Sequence, residues 1–96
     1  MATPGYPVQW TSPAGALSCA GCLGRIEPGR RALKFGKGTR EVRRLDGQWF
    51  HSYDCLARRA EEEASREQGS DAWRAEPLWD LERWARARAR EQNARP

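Results

Sequence analysis

The chain has little from which to build a hydrophobic core. Its 96 residues include only seven Leu, two Val and one Ile, although 39% of all residues count as hydrophobic. Burial of apolar side chains alone rarely stabilises a domain of this size. We therefore expect a further stabilising element. No apolar run approaches the roughly 20 residues that cross a bilayer. The N-terminus lacks the basic flank and apolar stretch of a secretory leader. We therefore expect a cytoplasmic protein with no membrane association.

Cysteine and histidine are also scarce, and one pattern uses all of them. The chain has three Cys and one His: Cys19 and Cys22 are separated by two residues, His51 follows after 28 more, and Cys55 lies four residues beyond His51. An odd Cys count argues against a disulfide framework. One tight turn can present Cys19 and Cys22 to the same ion, and a hairpin can return the second pair. Three thiolates and one imidazole are a standard tetrahedral set for Zn²⁺.

The sequence therefore predicts a structural zinc site formed by four ligands, Cys19, Cys22, His51 and Cys55. A catalytic zinc keeps one position open for water or substrate, whereas this set fills all four. The alternative is two unrelated buried thiols, a free Cys and a surface His, but no Cys or His of the chain lies outside the pattern. Thiols that bind zinc suit a reducing compartment, in agreement with a cytoplasmic location.

Charge is unevenly distributed along the chain, whose formal net charge is +4. Residues 1–18 carry no charge, and residues 19–60 carry ten basic against four acidic side chains. Residues 61–76 reverse this balance, with six acidic against two basic side chains. A basic region on a small body favours a polyanionic partner such as DNA, although a solvated surface would look the same. The candidate nucleic-acid-binding residues are Arg30, Arg31, Lys34, Lys37, Arg40, Arg43 and Arg44.

The coarse pattern predicts a small zinc-stabilised α+β fold with a three-stranded antiparallel sheet. Residues 1–18 are rich in Pro, Gly and Ala and should be largely irregular, with an edge strand where Tyr6, Val8 and Trp10 alternate. The zinc finger spans residues 19–68. Its strands are expected at 33–35, 41–45 and 48–50, with a hairpin turn at Asp46-Gly47.

Two helices complete the prediction. The first, over 55–68, follows the second ligand pair and is capped by Ser52 or Asp54. The second is amphipathic, covers 76–92 and lies in a C-terminal unit, 69–96. Three Trp residues of this unit are candidates for binding a protein partner or a second copy of the chain, because exposed aromatic clusters often form interfaces. They are Trp73, Trp79 and Trp84.

Residues 17–60 resemble the zinc finger of poly(ADP-ribose) polymerases and certain DNA ligases. The resemblance is carried by Ser18-Cys19-Ala20-Gly21-Cys22, Ile26-Glu27-Pro28-Gly29, Leu33, Gly47-Gln48-Trp49-Phe50-His51 and Cys55. Three residues separate His51 from Cys55, where that family usually has two. The resemblance implies a zinc finger that recognises broken or distorted DNA by shape.

Three classes of function follow from the sequence. The first is a zinc-binding accessory protein that binds nucleic acid, DNA above all, through a basic finger. The alternative is a zinc module that docks on a larger protein machine through its Trp-rich C-terminal helix. An enzyme is the least favoured class, because no His is left over and no recognisable catalytic set is present.

Overall fold

The architecture is taken from a computed structural model that describes residues 6–37, 42–67, 73 and 75–94, with side chains of the last helix to residue 92. The elements in chain order are β1 (Val8–Thr11), β2 (Leu17–Ser18), β3 (Arg25–Ile26), β4 (Ala32–Phe35), a 3₁₀ turn (Val42–Leu45), β5 (Trp49–Phe50), α1 (Tyr53–Ser65) and α2 (Glu76–Ala94).

The main sheet is antiparallel and has the strand order β1-β4-β5. Trp10 lies opposite Leu33, and Leu33 lies opposite Phe50. Leu33 and Phe50 are fully buried, so this face packs on the core. Because successive side chains of a strand alternate between faces, their neighbours Gln9, Lys34 and Trp49 share the opposite face. We call it the outer face of the sheet. The predicted α+β fold, with its three-stranded antiparallel sheet and two later helices, is confirmed.

The membership of that sheet differs from the prediction in one strand. The predicted strand at 41–45 is wrong, because the described residues 42–45 form the 3₁₀ turn. Val42 and Leu45 are both buried, and their three-residue spacing matches one turn of a 3₁₀ helix. The third strand is instead β1, which confirms the edge strand predicted where Val8 and Trp10 alternate. Asp46-Gly47 does form a turn, with Gly47 at φ 75°, but it follows the 3₁₀ turn.

A second, two-stranded sheet pairs β2 with β3, aligning Leu17 with Ile26 and Ser18 with Arg25. The loop between these strands contains Cys19 and Cys22. This small sheet therefore holds the two ends of the loop that carries the first ligand pair.

The two helices pack against each other and share the core of the finger. Leu56 of α1 and Leu78 and Leu81 of α2 are fully buried in one cluster with the sheet. Ser52, one of the two predicted caps, occupies the N-cap of α1, but its side chain makes no capping hydrogen bond. The predicted boundary between residues 68 and 69 lies outside the described residues. None of the described helices is long and apolar enough to cross a membrane.

Candidate metal centre and basic surface

Cys19 and Cys22 lie in a tight turn closed by two backbone hydrogen bonds. The Leu23 N–H donates to the Cys19 carbonyl at 2.8 Å, and the Cys19 N–H donates to the Gly24 carbonyl at 2.7 Å. Leu23 adopts the left-handed conformation, with φ 65°, and its side chain is 80% exposed. The turn brings both sulfur atoms to the same side of the loop, as the two-residue spacing predicts.

The turn is packed tightly against the second ligand pair. A β-carbon on Gly21 would lie 2.7 Å from the Cys55 carbonyl carbon and 2.8 Å from its Cα. A β-carbon on Gly24 would lie 3.2 Å from the Cys22 Sγ and 3.3 Å from the His51 Cε1. Glycine at position 21 therefore allows the first Cys loop to reach the start of α1.

His51 follows β5 and points its ring into the cluster. Its Nδ1 lies 3.2 Å from the Cys22 Sγ, and its Nε2 lies 2.8 Å from the Arg25 carbonyl oxygen. A carbonyl only accepts, so Nε2 carries the proton, and the Nδ1 lone pair is available to a metal ion. Metal-binding His residues commonly have this arrangement, with the other ring N–H donated to a backbone carbonyl.

Backbone N–H groups also point at the sulfur atoms. Gly24 donates to the Cys22 Sγ and His51 donates to the Cys19 Sγ, each at 3.4 Å. Such donors favour the thiolate form that binds metal. The ligand atoms of Cys19, Cys22, His51 and Cys55 all lie within 4.8 Å of one another. In a tetrahedral zinc site with Zn–S bonds of about 2.3 Å, sulfur atoms stand roughly 3.8 Å apart. The four predicted ligands thus form a cluster that fits a metal ion.

The protonation of the cluster reflects both burial and hydrogen bonding. Burial alone would raise the pKa of Cys19, but hydrogen bonds from backbone N–H groups outweigh it, and the pKa is lowered. Burial, followed by the neighbouring Cys19 sulfur, raises the pKa of Cys55 to about 11. The hydrogen bond to the Arg25 carbonyl raises the pKa of His51. A cation bound among the sulfur atoms would remove the Cys55 proton, because metal-bound thiols are deprotonated.

The predicted nucleic-acid-binding residues that the structure describes lie in different settings. Lys34 lies on the outer face of the sheet, with its Nζ 5.5 Å from the centroid of the Trp49 ring. Arg31 precedes β4 and lines a different depression, of about 400 Å³, with Trp10 and Gln92. Within the described residues, five of the seven form no ion pair: Arg30, Arg31, Lys34, Lys37 and Arg43.

Arg44 differs from these five residues because it is paired with carboxylates. Arg44 is bound to Glu67 and lies 3.5 Å from Glu63, so its charge is largely matched within the protein. These carboxylates raise the pKa of Arg44. Arg40 lies outside the described residues.

Arginines of the two helices are mostly matched by carboxylates. The pairs are Arg59 with Glu62 and Glu63, Arg66 with Glu62 and Glu63, Arg83 with Asp80, Arg86 with Glu61 and Glu82, and Arg88 with Glu91. Most of the described cations without a carboxylate partner therefore lie around the sheet. The net charge of the chain does not show this uneven distribution.

The tryptophans of the C-terminal unit occupy three different settings. Trp84 packs edge-on against Tyr6 and Tyr53, with ring centroids 5.0 and 5.6 Å away. Trp79 is half-buried against the same core, whereas Trp73 is 61% exposed. Trp84 therefore connects the segment before β1 with α1 within the chain.

Two features of the candidate metal centre carried no distinctive sequence signal. Gly21 and the Arg25 carbonyl acquire a role only through tertiary contacts. Comparison with family models, curated proteins and solved structures found no match to this chain. The functional argument therefore rests on the geometry of the chain itself.

Proposed function

We propose that this protein is a structural zinc module that binds nucleic acid through the cations around its sheet. Cys19, Cys22, His51 and Cys55 would hold one Zn²⁺, because three sulfur donors and one imidazole suit zinc rather than Mg²⁺ or Ca²⁺. Four protein ligands complete a tetrahedral shell, so the ion stabilises the fold and takes no substrate. Free thiols persist most readily in a reducing compartment, so the proposal includes a cytoplasmic location.

The nucleic-acid function is supported by one contrast in the charge distribution. Lys34 stands on the outer face of the sheet without a carboxylate partner in the described residues, whereas arginines of α1 and α2 are mostly paired. The three strands of the main sheet contain no Asp or Glu. A cationic face without acidic side chains attracts phosphates, and their counterions are released on binding.

Binding of the zinc-loaded chain to labelled DNA at several salt concentrations tests the proposal. We expect the logarithm of the association constant to fall linearly with the logarithm of salt concentration, because phosphate contacts release counterions. Lys34→Glu should weaken binding by about tenfold or more and reduce the salt slope by about one.

Arg58→Glu is the matched control for this variant. Arg58 is exposed on α1 and forms no ion pair among the described residues, so its reversal changes the net charge equally. If Arg58→Glu weakens binding as much as Lys34→Glu, only net charge attracts DNA, and a binding face on the sheet is wrong. If the parent protein binds neither DNA nor RNA at low salt, the nucleic-acid function is wrong.

A further inference from the structure

We propose that the ligand of the outer face is a single strand of nucleic acid, with an unpaired base stacked on Trp49. This inference deepens the proposed function and rests on it. The shared chemistry is a planar base attached to a phosphate backbone, and DNA and RNA are the two sources to be distinguished.

The outer face places three complementary side chains in one row across the sheet. Gln9 of β1 lies opposite Lys34 of β4, which lies opposite Trp49 of β5. They supply an amide, a cation and an aromatic ring, in that order. An amide donates and accepts hydrogen bonds at a base edge, a cation binds phosphate, and an aromatic ring stacks on a base.

A depression lies beside this row. Its volume is about 340 Å³, and it is lined by Pro7, Val8, Gln9, Lys34 and Gly36. None of these residues is acidic, and Lys37 is exposed one residue beyond Gly36. The volume falls in the range of small-molecule sites, roughly 300–1,000 Å³. Its walls combine apolar side chains with one amide and one ammonium group, the mixture that a nucleotide requires.

The Trp49 ring favours a single-stranded ligand over a duplex. Bases inside a duplex stack on each other and expose only their edges in the grooves, so they offer no free ring face to a protein. An unpaired base offers both faces and stacks on aromatic side chains. Lys34 now lies over the Trp49 ring. A base stacked on Trp49 would take that place, and the Lys34 ammonium would move onto the adjacent phosphate.

The experiment uses the zinc-loaded full chain and three fluorescein-labelled probes of equal length: oligo-dT, oligo-rU and a mixed-sequence DNA duplex. Fluorescence anisotropy gives the dissociation constant of each at one low salt concentration. We expect one or both single strands to bind more tightly than the duplex. Trp49→Leu should weaken single-strand binding by about tenfold, because a stacked base is lost, whereas Trp49→Phe should retain most of it.

Trp49 is half-buried, and Trp73, which is 61% exposed, provides the matched control: Trp73→Leu makes the same change away from the outer face and should leave all three constants unchanged. Equal or tighter binding of the duplex by the parent, or an unchanged constant in Trp49→Leu, overturns the single-strand inference and leaves the nucleic-acid function standing. Absence of binding to all three probes overturns both.

A second variant covers the case in which Trp49→Leu no longer folds or binds zinc. Gln9 is exposed on an edge strand, so Gln9→Ala should keep the fold. We expect it to weaken single-strand binding several-fold and duplex binding little. Unchanged single-strand binding in Gln9→Ala, with zinc still bound, overturns the inference.

Discussion

Gly21 lies directly against the backbone of Cys55, and a β-carbon at position 21 would sit 2.8 Å from the Cys55 Cα. The contact joins the loop of the first Cys pair to the start of α1. The backbone of this loop cannot move easily, because both the N–H and the carbonyl of Cys19 form hydrogen bonds that close the loop. Glycine at position 21 is therefore a requirement of the candidate metal centre.

Gly21→Ala should accordingly damage the site. The added methyl group would push Cys55 away from the Cys19–Cys22 turn. Overpacking of this kind lowers the free energy of unfolding by about 1–3 kcal/mol. We expect a lower melting temperature and weaker zinc retention against a chelator. Gly15→Ala is the control, because a β-carbon at Gly15 meets nothing within 4 Å. Wild-type zinc retention in Gly21→Ala would contradict the geometry of the site.

Glu63→Gln should destabilise the protein more than its neighbour Glu62→Gln. The Glu63 side chain is only 6% exposed and is paired with Arg44, Arg59 and Arg66. Removing its charge leaves these guanidinium groups without their shared partner, at a cost of about 2 kcal/mol.

Glu62 makes the matched comparison, because it is 48% exposed and pairs with Arg59 and Arg66 on the same helix. Exposed pairs contribute little, so Glu62→Gln should change stability by less than about 1 kcal/mol. Urea denaturation of both variants measures the difference. Through its pair with Arg44, Glu63 connects α1 to the 3₁₀ turn. Equal losses of stability in the two variants would show that this connection does not stabilise the protein.

Leu81→Ala tests whether α2 belongs to the core of the finger. Leu81 is fully buried in the cluster that includes Phe35 and Leu56, so the cavity should cost about 2–5 kcal/mol. Leu23→Ala is the control, since Leu23 is 80% exposed. Thermal unfolding followed by circular dichroism measures both. A Leu81→Ala variant as stable as the parent would indicate that the finger folds independently of α2.

The cluster of Cys19, Cys22, His51 and Cys55 could be predicted from sequence because two closely spaced pairs of Cys and His, separated by a long gap, are typical of zinc sites. The helices and the strands at β4 and β5 were also predictable, since apolar periodicity and the Asp46-Gly47 turn mark them. The geometry that supports His51 was not predictable. Its partner is the carbonyl oxygen of Arg25, and every residue has a carbonyl, so no sequence signal identifies it.

The strand predicted at 41–45 is wrong because the three-residue spacing of Val42 and Leu45 belongs to a helical turn and not to an alternating strand. Both side chains reach the core through a 3₁₀ turn. An edge strand was predicted at β1 from the alternation of Val8 and Trp10, although the surrounding Pro and Gly residues indicated irregular structure for most of residues 1–18. Its pairing with β4 was not predicted. Pairing with β4 and the contact of Tyr6 with Trp84 outweigh that local preference.

X-ray absorption at the zinc K-edge tests the central claim most directly. Protein purified under reducing conditions should contain one zinc per chain. The spectrum should show a shell of three sulfur atoms at about 2.3 Å and one nitrogen at about 2.0 Å, supplied by Cys19, Cys22, Cys55 and His51. Removal of the ion should unfold the chain, since such binding supplies on the order of 10 kcal/mol. A shell with a different number of sulfur atoms, or a folded protein free of metal under reducing conditions, would contradict the account.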